Sequence, residues 1–155
     1  MSLSQPTLRR IDEAIAEYTH PRSALLAVLH LIQGERGHIA PEDELWVASK
    51  LDLPPAEVAG VVSFYTMFRT HPAGRHHLQV CRTLSCQIRG CRELVSHLSK
   101  KLGIEEGGVT PDGRFSLITV ECLGSCGTAP MMQVNDDYHE SLTIERLDAL
   151  LEAMK

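Results

Sequence analysis

Across residues 1–70 the apolar positions recur with a helical period, and four short helices are predicted. Leu8, Ile11, Ile15 and Tyr18 place the first over residues 8 to 18. His20-Pro21 breaks it, because the residue before a proline is pushed out of the helical region. Ser23 is the candidate N-cap of the second helix, whose apolar stripe is Leu25, Leu26, Val28, Leu29 and Ile32 and which Gly34 and Gly37 end. Pro41 suits the first turn of the third, with Glu42, Asp43 and Glu44 at its positive end and Leu45, Trp46, Ala48 and Leu51 as apolar positions. Pro54 and Pro55 open the fourth, with Val58, Val61, Val62 and Tyr65 on one side. Helices without strands predict a small helical bundle. Nothing in it has catalytic spacing, so its expected task is scaffold and contact surface.

The pattern changes after Thr70-His-Pro-Ala-Gly74, which reads as a boundary. A short strand is predicted over His77 to Val80, then an amphipathic helix over residues 87 to 102 carrying Ile88, Cys91, Leu94, Val95, Leu98 and Leu102 and stopped by Gly103. Pro111-Asp112-Gly113 is a turn, Phe115 to Val120 a second strand, and Met131 to Val134 a third. Asn135-Asp136-Asp137 turns into a fourth strand over Tyr138 to Glu140. Thr143 caps a last helix with Ile144, Leu147, Leu150, Leu151 and Met154 apolar. The order β-α-β-β-α is that of a reduced thioredoxin-like layer. The expected fold class is therefore α+β: a helical bundle over residues 1–70, then a thioredoxin-like domain over residues 71–155.

Composition narrows the function. The formal net charge of −5 argues against nucleic acid as the main partner, since phosphate binding wants a basic face. Residues 1 to 10 lack the apolar core of a signal peptide, and the strongest apolar stretch, Ala24 to Ile32, is too short to span a bilayer. A soluble, cytoplasmic chain is expected, with no direct membrane insertion and any membrane association made through partners. With no export signal, its five cysteines are expected to stay reduced and to read as metal ligands or redox groups.

Four of those cysteines form two pairs, Cys81-Arg-Thr-Leu-Ser-Cys86 and Cys122-Leu-Gly-Ser-Cys126, each just after a predicted strand. Thiolates from two loops at strand ends can converge on one small volume. Two readings stand. A [2Fe-2S] cluster needs two thiolates per iron and ligand loops of small residues, and Ser85, Gly124, Ser125 and Gly127 fit that demand. Arg82 and Arg89 could ease the charge of an added electron, or could be plain surface charges. A structural zinc would make the chain a zinc-stapled interaction module, although such sites usually use tighter C-x2-C knuckles. Cys91 falls on the apolar helix face, where a free cysteine packs as a small hydrophobe. The eight histidines are scattered and none is read as a ligand. A free-standing thiol enzyme is disfavoured by the absence of C-x-x-C and of any placed cysteine–histidine pair. No G-x-G-x-x-G or P-loop is present, so nothing suggests that the chain binds NADH itself.

The cysteine loops come with further motifs: Arg89-Gly90, Lys101-Leu-Gly-Ile104, Thr110-Pro-Asp-Gly-Arg-Phe115, Glu121-Cys-Leu-Gly-Ser-Cys126, Ala129-Pro-Met131 and Val134-Asn-Asp-Asp-Tyr138. In the helical half stand Gly37-His-Ile39, Val58-x-Gly-Val-Val-Ser-Phe-Tyr-Thr-Met-Phe68 and Pro72-x-Gly-Arg75. Together these resemble the thioredoxin-like [2Fe-2S] ferredoxin subunits of complex I, NADH:quinone oxidoreductase, known as the NuoE family, over nearly the whole chain. The resemblance implies one [2Fe-2S] cluster per chain held by Cys81, Cys86, Cys122 and Cys126. It implies an electron-transfer subunit, inactive alone, beside a larger flavoprotein that binds FMN and NADH. Other peripheral-arm subunits would be further partners, in a complex peripheral to the inner membrane. Related subunits occur in NAD-linked formate dehydrogenases and NAD-reducing hydrogenases, and this is the alternative setting. The helical bundle is expected to help in docking the partner.

Overall fold

The computed structural model describes residues 3–154. The chain divides into two compact units, residues 1–72 and 73–155.

The first unit is helical: α1 (Gln5–Ala16), α2 (Leu25–Arg36), α3 (Pro41–Leu51) and α4 (Pro55–Phe64). Ser4 caps α1 by accepting from the Thr7 N–H, so the helix starts earlier than its apolar positions suggest. Ser23 does not cap α2. Pro21 opens a 3-10 turn, Pro21–Ala24, that runs straight into the helix and absorbs the position. Gly34 lies within α2, and Gly37 ends it at φ 82, where a side chain would be strained. The core holds Ile11, Val28, Leu29, Ile32, Ile39, Val47, Leu51 and Val58. Leu45, expected among the apolar positions of α3, is 59% exposed; Val47 takes the buried face. Asp43 is fully buried there, accepting from the Ala40 N–H at 2.9 Å and from Arg36 Nη1 at 2.7 Å. A buried carboxylate needs both partners to offset its lost hydration.

The second unit is a four-stranded mixed sheet: β1 (His76–Cys81), β2 (Phe115–Val120), β3 (Met132–Val134) and β4 (Asp137–His139), in the order β2-β1-β3-β4. β1 pairs with β2 in parallel and with β3 antiparallel; β3 and β4 form a hairpin. The parallel pair requires a crossover, and the chain supplies it with α5 (Leu84–Ile88) and α6 (Cys91–Leu102), the latter packed on β1 and β2. The single helix expected over residues 87–102 is therefore two. Gly90 breaks it at φ 95, a left-handed conformation that no helix can continue through. Ile88 consequently leaves the apolar face and is 75% exposed. Cys91 stays buried beside Leu94 and Leu98. The final helix, α7 (Ile144–Ala153), is capped by Thr143, whose hydroxyl accepts from the Arg146 N–H, and it packs against α6. Leu78, Val80, Leu98, Phe115, Leu117, Met131, Met132 and Leu147 fill the core between sheet and helices. Among the described residues no helix is long and apolar enough to cross a membrane.

Candidate functional site

The C-terminal ends of the parallel strands β1 and β2 deliver the two cysteine loops side by side. Cys81 is the last residue of β1 and registers with Val120, the last of β2. The Cys81 N–H donates to the Met131 carbonyl and the next N–H, of Arg82, to the Val120 carbonyl, so the first loop leaves the sheet pinned on both sides. Cys86 lies on α5. Both are 2% exposed. Cys122 and Cys126 lie on the loop after β2 and are exposed, with their sulfurs 3.6 Å apart. Gly124 at φ 83 makes the turn that lets its own N–H point back to Cys122 Sγ at 3.4 Å. The outer loop is braced from β4: the Tyr138 hydroxyl donates to the Leu123 carbonyl at 2.8 Å, and the Thr128 hydroxyl donates to Glu140 at 2.7 Å.

The thiols are electrostatically unequal. Burial pushes Cys81 up, but hydrogen bonds from the Thr83 side chain and from the backbone of Thr83 and Leu123 outweigh it and hold Cys81 below the usual thiol value. Cys86 is pushed up to about 11, first by burial and then by its hydrogen bond to Cys81. Cys122 is lowered by the Gly124 N–H, then by Cys126 and Thr83. Cys126 is raised by its hydrogen bond to Cys122 and by that neighbour's charge. Each pair thus holds one thiol shifted down and one shifted up. A metal that binds both sulfurs of a pair displaces their protons.

The four thiols stand as two pairs, with backbone N–H donors aimed at the sulfurs. These are the contacts that stabilise thiolates around an iron–sulfur group.

The profile of the thioredoxin-like [2Fe-2S] ferredoxins matches residues 11–155. This chain belongs to that family. A ferredoxin relative from Rhizobium meliloti, the second E-type subunit of its NADH-quinone oxidoreductase, is 47% identical over 145 residues, covering 94% of this chain and 86% of its own. NADH-quinone oxidoreductase subunit 2 of Thermus thermophilus is also 47% identical, over 148 residues, covering 94% of this chain and 82% of its own. The family fold recurs in a crystal structure of an NAD+-reducing [NiFe]-hydrogenase, at a TM-score of 0.72 and 28% identity over 84% of this ferredoxin chain. The chain spans only 22% of that hydrogenase polypeptide.

Other residues singled out in the sequence fall around this ferredoxin site unevenly. Arg82 is tied to Glu121, with Nη2 at 2.8 Å from the carboxylate, both side chains exposed. Arg89 donates through Nε to the Ala129 carbonyl at 3.3 Å and so links α5 to the strand leading into β3. His77 is buried in the sheet with Nδ1 2.7 Å from the Ser116 hydroxyl, away from the cysteines. Sequence reasoning misses Thr83, whose hydroxyl lies 3.3 Å from Cys81 Sγ. A threonine inside a cysteine loop is the signal that could have found it. The bracing by Tyr138 had no such signal, because it depends on where the hairpin turns.

Proposed function

We propose that this chain is the electron-transfer subunit of an NADH:quinone oxidoreductase, carrying one [2Fe-2S] cluster on Cys81, Cys86, Cys122 and Cys126. It would work beside a flavoprotein subunit that binds FMN and NADH. The observation that carries this reading is the pairing of four thiols at the ends of β1 and β2, in a chain 47% identical over 94% of its length to an E-type subunit of NADH-quinone oxidoreductase.

When bound, the cluster would supply one-electron transfer. The remaining work belongs to the chain's own residues. Cys81 and Cys86 hold the inner edge from the buried side, anchored by β1 and α5. Cys122 and Cys126 close the outer edge from a loop that Tyr138 and Glu140 brace. The N–H groups of Thr83, Leu123, Gly124 and Met131 point at sulfur and offset the negative charge there. Met131 and Ala129, both buried, keep water from the inner side.

The outer side is where electrons would enter and leave. Leu84 and Ile88, one helical turn apart on α5, are 74% and 75% exposed within or beside the first cysteine loop. They give the site an apolar rim, which suits the flavoprotein partner. No nucleotide-binding motif is present, so the chain alone would not oxidise NADH. The hydrogenase likeness keeps an NAD-reducing hydrogenase setting as the second reading, at 28% identity against 47% for the oxidoreductase subunits.

Metal analysis of protein prepared without air tests the assignment: two irons and two sulfides per chain are expected, and Ala at any of the four cysteines should bleach or badly destabilise the chromophore. Stoichiometric zinc without sulfide would overturn it. The partner is tested by mixing the loaded chain with its flavoprotein. NADH should then reduce the chain, and it should not do so without the flavoprotein.

A further inference from the structure

Thr83 lies inside the first cysteine loop, between Cys81 and Cys86. It precedes α5 at the N-cap position, where a threonine hydroxyl ordinarily accepts from a backbone N–H of the first turn. Here the hydroxyl makes no capping bond. It lies 3.3 Å from Cys81 Sγ instead. The Thr83 N–H is directed at Cys81 as well. A helix start therefore goes without its side-chain cap, while the hydroxyl lies against sulfur.

We infer that Thr83 is a positioning residue that sets the reduction potential of the proposed centre, through its hydroxyl beside the Cys81 sulfur. The inference rests on the cluster reading above. Reduction adds one electron and no proton, and part of the added negative charge falls on the thiolate sulfurs. A donor on those sulfurs stabilises the more negative state more strongly, because hydrogen bonds to charged acceptors are the stronger ones. Removing the hydroxyl must then lower the potential, whereas removing only the methyl must not.

The test uses the full chain with its cluster assembled under anaerobic conditions, in the wild-type form and as Thr83→Ser, Thr83→Val and Thr83→Ala. Each is titrated with dithionite and mediators, followed by visible absorption and by EPR of the reduced form. At a fixed ambient potential the reduced-to-oxidised ratio of Thr83→Val should fall about fivefold, the weight of one ordinary hydrogen bond. Thr83→Ser should match the wild type. In deuterated buffer, pulsed EPR should show one more exchangeable deuteron near the centre in the wild type and Thr83→Ser than in Thr83→Val, above the backbone N–D signal that all three share. An unchanged potential in Thr83→Val with an intact spectrum overturns the inference, as does a Thr83→Ser shift as large as that of Thr83→Val. If Thr83→Val assembles no centre, Thr83→Ala against Thr83→Ser decides by the same criterion. A wild-type chain that takes up no iron and sulfide sinks the cluster reading itself, a result distinct from wild type and variants sharing one potential.

Discussion

The Gly74 N–H donates to the Ser116 hydroxyl at 3.0 Å across the start of the parallel pair β1–β2. The approach leaves no room for a side chain. A Cβ on Gly74 would stand 2.3 Å from the Phe115 carbonyl carbon and 2.6 Å from the Ser116 nitrogen, both backbone atoms of β2. Neither can retreat without disturbing the register that aligns Cys81 with the end of β2. Gly74→Ala should therefore destabilise the sheet unit by about 1–3 kcal/mol, read as a lower urea midpoint. A variant as stable as the wild type would show that the strand entry is plastic.

Cys91 is 2% exposed in the helix–sheet core, and burial pushes its thiol up. Cys91→Ala should keep the visible spectrum of the loaded protein and cost on the order of 1 kcal/mol through lost packing. Loss of colour in a variant that still folds would mean that Cys91 has been misread as filler.

Asp148 on α7 joins two side chains of α6, accepting from Lys101 Nζ at 2.6 Å and lying 2.7 Å from His97 Nε2. The hydrogen bond from Lys101, then that from His97, holds its carboxyl below the usual carboxylate range. A carboxyl depressed in the folded state adds stability above its unfolded value, about 3.9, and loses it as the pH falls through the folded value. Asp148→Asn should thus unfold at lower urea than the wild type near neutral pH, with the gap closing in acid. A gap that stays constant into acid would mean that the charge of Asp148 does not matter.

We propose that the helical unit serves docking, because no catalytic spacing is read in its sequence. Residues 71–155 expressed alone should fold and hold the colour of the full chain, yet bind the flavoprotein partner poorly in a pull-down. Full-strength binding by the short form would remove the docking role of the helices.

Much of this fold could be read from local pattern. The bounds of β2, Phe115–Val120, are those of the apolar run, and Thr143 caps α7 as its position before Ile144 suggests. Cys91 is buried because the helical period puts it in line with Leu94 and Leu98. The period misled where backbone geometry overrode it. Ile88 shares the spacing of Cys91, but the left-handed turn at Gly90 swings it into solvent. Leu45 and Val47 lie on opposite faces of α3, and only packing decides which face is buried. The thiol pairs are visible as spacing. Their different depths, and the hydroxyl of Thr83 beside Cys81, depend on how β1 meets β2 and β3, which no local signal encodes.

That difference in depth decides where the proposed centre would wear. Cys81 and Cys86 are shut into the core, and Cys122 and Cys126 face bulk water. Oxidants and chelators diffusing in from solvent meet the outer loop first. The two thiols held on the loop are thus the first exposed to such attack, ahead of the two held on β1 and α5.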